Sequence, residues 1–346
     1  MKKNKQFELP EIEFKSRNMN VLMMLTKRHL KMIIANHIRM MYTLMVPIVI
    51  LVVYILFLRD LEISTIQNEL GKMFGTVSSN SELLYHVSSI VDCWMMAGLL
   101  AISVITISLQ VNSLIVEDKE HGINRDFVAS PINKNVLITS YFLYNFIITS
   151  LLSLAVMVIC LITIGAYGEF MFTAGDFFLI LGIMLFSVLL STLITTFVCL
   201  FINTEGVLAS IIAVFSAGAG FLMGAYMPIS MLPKGIQYLC AVFPLTYPCA
   251  LTRFAFLNGP LERLQTFLTN NSSILPEGKS ASDVVNLIES SFGYRIDFFG
   301  ASNINPDLSF TVMVGFIIIF LILNIVFASK LARLEKKNVF KSKRKN

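Results

Sequence analysis

Apolar residues run through this chain in long unbroken blocks, separated by shorter polar segments. Six blocks have the length to cross a bilayer: residues 41–58, 90–116, 136–166, 177–202, 207–227 and 310–330. A helix needs roughly 20 apolar residues to span the hydrocarbon core. The third block is long enough to tilt or to project beyond it. No block carries a charge near its middle, and Asp92, near the start of the second, is expected at headgroup level. Within a bilayer the backbone must satisfy its own hydrogen bonds, which a helix does inside one segment. The pattern therefore predicts an all-α integral membrane protein with six transmembrane helices.

Two stretches depart from plain spans. Before the first block, Val21, Leu22, Leu25, Met32 and Ile33 recur at helical spacing, while Lys27, Arg28 and Lys31 lie off that stripe. This predicts an amphipathic interface helix over 19–37, behind a polar tail at 1–18. It serves either as a juxtamembrane anchor or as a partner contact as well. After the fifth block, residues 235–257 are apolar enough to enter the membrane, but Pro244 and Pro248 interrupt them. Each half is too short to cross, so the expectation is two short outer re-entrant helices with the break sheltered by protein. Residues 59–89 read as an outside loop. Residues 258–307, polar with helical character at 281–290, read as a small external subdomain, so the external connection spans 228–307.

Composition agrees. Of 346 residues, 55% are hydrophobic and only 14% charged, too few charges for a soluble domain. The mean hydropathy is +0.73. The net charge of +5 is concentrated before the first span, from Lys2 to Arg39, and after the last, from Lys330 to Lys345. Short basic segments beside spans stay cytoplasmic, so both termini are expected inside, including the basic tail at 331–346. Six spans satisfy that parity. Residues 165–176 carry no Lys or Arg, as an outside loop should. Beside apolar spans, the basic tails read as membrane-surface segments in contact with lipid, not as nucleic-acid binders. No cleaved signal peptide is expected, because the first apolar block lacks a small-residue cleavage site. The five cysteines form no CxxC and no Cys/His cluster, so no metal site is predicted. Cys93, Cys160 and Cys199 read as small apolar packing residues. Cys240 and Cys249 fall where an oxidising compartment could join them, and the intervening prolines leave their separation open.

Candidate chemistry is sparse. The loop at 117–135 is dense in charge at first, with Glu117, Glu120 and Arg125; Ile123, Phe127 and Val128 then follow at helical spacing after Gly122. A short helix with apolar teeth and a charged rim suits docking in another protein's groove, the alternative being a plain solvated loop. Ser130-Pro131 reads as an N-cap and first-turn proline starting the third span. Gln110 and Asn112, within the second span, are buried amides that glue helices together or line a pathway. Gly220-x-x-x-Gly224 permits close helix approach, within the chain or across a dimer. Arg253 offers five donors to carbonyls freed at the proline break. With Pro244, Thr246, Tyr247 and Pro248 it would form an outer lid, the alternative being a surface arginine at the headgroups. Gly278-Lys279-Ser280 resembles the end of a P-loop, but Ser273 stands where the first glycine belongs. His29, His37, His86 and His121 are scattered, and no catalytic constellation appears. A membrane-embedded enzyme would need such a constellation. An ion-coupled carrier would bury ionisable groups at mid-membrane.

Three features resemble the permease subunits of type-2 ABC exporters, the ABC-2 group. They are the basic amphipathic helix entering a span with Pro47; Glu117-Asp-Lys-Glu-His-Gly122 followed by Ser130-Pro131; and Met227-Pro-Ile-Ser-Met-Leu-Pro233 with Phe243-Pro-Leu-Thr-Tyr247 and Arg253. They occur in the family's order over nearly the whole chain. The external segment 258–307 is longer than in compact members, which leaves the substrate open. The resemblance implies a six-span domain over 38–330 that pairs with a second permease chain, as homodimer or heterodimer, and with two cytoplasmic ATPase subunits. It implies that residues 117–129 include the coupling helix. No cofactor would sit on this chain, ATP and Mg being bound by the partner. The resemblance implies a substrate route between the two permease chains near spans two and five. An abundance of Phe, Met and Leu in the spans favours an amphipathic or hydrophobic substrate (drug, peptide or lipid-like) over small ions, though such residues also face lipid. The implied location is the plasma membrane of a bacterium.

Overall fold

The computed structural model describes residues 11–74, 81–123, 127, 132–167, 172–272, 275, 280–292, 296–298 and 301–342. The N-terminal helix α1 (Glu11–Ala35) ends at Asn36, whose side chain accepts the Arg39 backbone N–H at 3.0 Å and so caps α2 (His37–Val53). The chain continues without a break through a π-helical turn, Tyr54–Leu58, into α3 (Arg59–Phe74). Next come α4 (Ser81–Val111), α5 (Ser113–Glu120), α6 (Lys134–Tyr167), α7 (Ala174–Cys199) and α8 (Glu205–Leu222). Thr173 and Asp176 form a reciprocal capping box at the start of α7. Beyond α8 lie α9 (Lys234–Val242), α10 (Thr246–Asn270), α11 (Ala281–Phe292), an antiparallel hairpin of β1 (Ile296–Phe298) and β2 (Ala301–Ile304), and α12 (Pro306–Ser342).

Among the described residues, six helical stretches are long and apolar enough to cross a membrane: His37–Asn68, Ser81–Glu120, Lys134–Tyr167, Ala174–Cys199, Glu205–Leu222 and Pro306–Phe327. The six blocks of the sequence are thus found, in an all-α membrane fold whose one exception among the described residues is the small hairpin. Because the spans alternate in direction, α1, α5 and the turn between α7 and α8 share one end of the bundle, the near end. The other end, the far end, carries α3, α9 and α11. The centre is α4, packed against α10, α6, α7 and α2. Every residue of α4 from Ser89 to Leu109 is buried. By contrast α2, α8 and α12 expose apolar side chains such as Met45, Val52, Val214 and Ile322. Such faces are unstable in water and suit hydrocarbon or another membrane helix. Amides and hydroxyls tie the centre together. Asn112, fully buried, donates to Thr195 and Thr196 of α7, both at 3.1 Å, and Asn145 of α6 donates to the Ser108 carbonyl at 3.2 Å.

Several expectations are corrected. The supposed outside loop at 59–89 is helical from Arg59 to Phe74 and again from Ser81. Its buried Leu83, Val87 and Ile90 form a stripe at helical spacing, which needs only one apolar residue per turn and so leaves no apolar run. Asp92, whatever its depth in the bilayer, is enclosed by the protein. It is 3% exposed and bound by Arg59 Nε at 2.8 Å, Arg59 Nη2 at 3.0 Å and Tyr54 Oη at 2.8 Å. The interface helix starts earlier than expected, at Glu11. The second re-entrant helix is not short: α10 runs 25 residues into the segment expected to be polar surface. There Leu261, Leu264 and Leu268 join Val284 and Ile288 of α11 in a far-end core. Pro248 does not break a helix. It is the third residue of α10, where the missing N–H is one of the four with no intrahelical partner anyway. Cys240 and Cys249 are both buried free thiols.

Candidate functional site

At the near end, four consecutive residues of α5 reach four different places. A helix turns about 100° per residue, so one turn points all round. Asp118, fully buried, takes both terminal nitrogens of Arg28 at 3.1 Å and the Tyr141 hydroxyl at 2.5 Å. Glu117 pairs with Arg39 of α2 at 2.7 Å. Lys119 Nζ donates to the carbonyls of Cys199, Leu200 and Ile202, at 2.9, 2.6 and 3.0 Å, where α7 ends. Glu120 accepts the Glu205 backbone N–H at 2.6 Å, at the first residue of α8. These are favourable partners electrostatically, since helix ends expose carbonyls at the C-terminus and N–H groups at the N-terminus.

The neighbours of this hub carry its electrostatics. Hydrogen bonding to Asp118 raises the already high pKa of Arg28, so its charge is permanent. His29 is buried, stacked on Tyr141 at 4.3 Å and edge-on to Tyr144. Burial, with Arg28 adjacent, lowers its pKa to about 4, so the ring is neutral. Gly122 follows the end of α5 with φ +77, the left-handed conformation that suits glycine at this position. Ile123 is half-exposed, and Phe127 is half-buried with the Arg28 guanidinium 5.4 Å from its ring centre. Arg125, Val128, Ser130 and Pro131 lie outside the described residues.

Beside the hub is an open cleft of about 340 Å³ between α2, α4, α5 and α8. Arg39, Tyr42, Gln110, Ser113 and Ile212 line it. Gln110 thus faces the cleft, whereas its neighbour Asn112 is spent on α7.

The far end carries an elbow. Helices α9 and α10 meet at 92° around Pro244. Thr246 donates its hydroxyl to the Cys240 carbonyl at 2.7 Å, and Tyr247 donates to Ala241 at 2.8 Å. The first adds to a carbonyl that the Phe243 N–H already reaches, and the second satisfies one at the end of α9. Arg253 is 3% exposed, which excludes the headgroup position. Its guanidinium donates to the Ala225 carbonyl at 3.0 Å and lies 4.6 Å over the Trp94 ring. Ala225 closes a Schellman turn. Its N–H bonds Gly220 O at 2.7 Å, and Gly224, with φ +69, bonds Phe221 O at 3.1 Å. The two glycines therefore end α8, and a Cβ on Gly220 would overlap the chain's own Tyr226 ring.

Residues 20–257 match the ABC-2 type transporter family. The chain belongs to that family. It is therefore the membrane domain of an ABC-type transporter and a multi-pass membrane protein. Comparison with curated proteins gave no match. The region matched to the ABC-2 type family holds the hub, the cleft and the elbow, and stops within α10; α11, the hairpin and α12 follow it. Sequence reasoning about this ABC-2 permease missed Arg59, Asp92, Trp94, Lys119 and His29 as organising residues. Only Lys119, a lone cation among acids, carried a local signal.

Proposed function

We propose that this chain is the permease of an ATP-driven exporter, working as a pair of permease chains with two cytoplasmic ABC ATPases that bind ATP and Mg. Both termini and the 117–129 loop face the cytoplasm, residues 258–307 face outside, and the substrate is amphipathic or hydrophobic. The observation that carries this reading is the shared framework of loop and cleft. The residues expected to meet the ATPase continue the same α4–α5 segment that contributes Gln110 and Ser113 to the cleft wall. A push on the loop therefore acts on the cleft. The exposed apolar faces of α2 and α8 flank it and suit a second permease chain. An amphipathic substrate fits a cleft whose rim is polar and whose surroundings are apolar. The elbow, with Pro244, Thr246, Tyr247, Pro248 and Arg253, serves as the outer lid.

Buried carboxylates, which an ion-coupled carrier would use, are present as Asp92 and Asp118. Each is already held by an arginine and a tyrosine, an arrangement that favours packing over ion transport. The test is co-purification with an ABC ATPase and cysteine labelling from each side. Phe127→Ala and Gly122→Pro should weaken the complex while leaving membrane insertion intact. Losing a docked aromatic costs on the order of 2 kcal/mol. Unchanged assembly in both variants, or outside labelling of a cysteine at His121, would overturn the reading.

A further inference from the structure

The four contacts of α5 differ in how firmly they are made. Asp118 is fully buried and holds α1 and α6 through Arg28 and Tyr141. Breaking such a pair leaves a buried charge, so this contact stays closed. Lys119 is half-buried and Glu120 is exposed. Their bonds, to the end of α7 and the start of α8, exchange readily with water. Helix α8 itself is fully buried only near its ends; between them Ile211, Ile212 and Phe215 pack half-buried against the core. Leu208, Ala219 and Gly220 are its buried residues, and nothing from 209 to 218 is buried. Ile212, the contribution of α8 to the cleft wall, lies in that half-buried stretch.

We infer that Lys119 and Glu120 are positioning residues: a latch that ties the near end of α8 to α5, so that α5, turning about the buried Asp118, moves α8 and sets the width of the cleft. The chemistry of each residue fits. An ammonium group has three donors, and three carbonyls meet it at the end of α7. A carboxylate at the first N–H of α8 favours the positive end of the helix. The transmission step rests on the permease reading, whereas the latch itself does not.

The test uses spin labels at Leu151 on α6 and Val207 on α8, both exposed, with distances read by pulsed electron paramagnetic resonance. In the purified chain alone, Lys119→Met and Glu120→Ala should broaden the distance distribution about twofold as the end of α8 frees itself. Lys119→Arg and Glu120→Gln keep donors or an acceptor and should stay narrow. In the complex with the ABC ATPase that co-purifies, trapping with ATP and vanadate should shift the wild-type distance. In Lys119→Met the shift should vanish while the ATPase remains bound and hydrolyses ATP, an outcome that simple loss of folding would not give. Wild-type widths in both disruptive variants would overturn the latch, and a wild-type shift in Lys119→Met would overturn transmission. If the wild-type chain binds no ATPase or shows no shift, the permease reading fails instead, before any variant is made. Glu120→Ala alters an exposed side chain and keeps the width test valid even where Lys119→Met folds poorly.

Discussion

The Arg253 guanidinium lies 4.6 Å over the ring of Trp94 while donating to the Ala225 carbonyl at 3.0 Å, inside the bundle rather than at its surface. One side chain of α10 therefore holds both the central helix and the turn that ends α8. Gly98 of α4 makes room for this, because a Cβ there would come within 2.6 Å of the Ala225 oxygen.

Arg253→Lys is expected to be nearly as harmful as Arg253→Ala. Lysine keeps the charge but loses the flat surface that stacks on Trp94, and a buried ammonium is harder to desolvate. Each variant should lose on the order of 2 kcal/mol, read as a lower unfolding temperature in detergent. A lysine variant as stable as wild type would mean that the stack contributes nothing.

Gly220→Ala should destabilise the chain by about 1–3 kcal/mol through overlap with the Tyr226 ring. Adding Tyr226→Leu should recover most of that loss, since the smaller side chain vacates the space. If the glycine stripe instead met a second chain, Gly220→Ala would change the dimer fraction and Tyr226→Leu would not restore it. Cross-linking and thermal unfolding of the two variants separate these outcomes.

The spans were legible because a bilayer demands continuous apolar runs, and no tertiary partner alters that demand. The glycine pair, the elbow and Arg253 stood out as local irregularities, but their roles did not. The glycines end α8 instead of marking a close helix approach, Arg253 meets Ala225 and not the carbonyls at the proline break, and Pro248 was misread because a proline in a first turn breaks nothing. The hub was only half legible. Glu117, Lys119 and Glu120 stand out as charges, but their partners lie 78–85 residues away along the chain, so no local spacing encodes the pairing. The partner of Asp92 was illegible for the same reason: Arg59 lies 33 residues away in a segment whose apolar stripe is too thin to read as a span.

Removing one partner of the Arg59–Asp92 pair should be costly. Asp92 is buried, and Arg59 also lies 4.5 Å over the Tyr167 ring, so α3, α4 and α6 meet there. Asp92→Ala strands the arginine and should cost about 3–5 kcal/mol. The double variant Arg59→Met with Asp92→Leu should be clearly more stable than Asp92→Ala alone. Thermal unfolding of the three chains tests this, and a double variant worse than the single one would mean that the pair adds net stability.

The docking of α1 should depend on pH through His29. Its pKa falls from the ordinary 6.5 to about 4 because the ring is buried against Tyr141 and Tyr144 with Arg28 adjacent; Asp118 opposes the shift only in part. Above pH 6.5 the ring is neutral whether α1 is docked or free, so its contribution is fully present. As pH falls from 6.5 towards 4, the free helix takes up a proton that the docked one refuses, and docking weakens. The full loss, reached below pH 4, is on the order of 3 kcal/mol. A spin label at the exposed Met24 should therefore become more mobile between pH 6.5 and 5. His29→Phe keeps a ring to stack on Tyr141 and has nothing to protonate, so its mobility should stay flat over that range. Parallel pH responses in the two chains would assign the change to another group and remove His29 from the account.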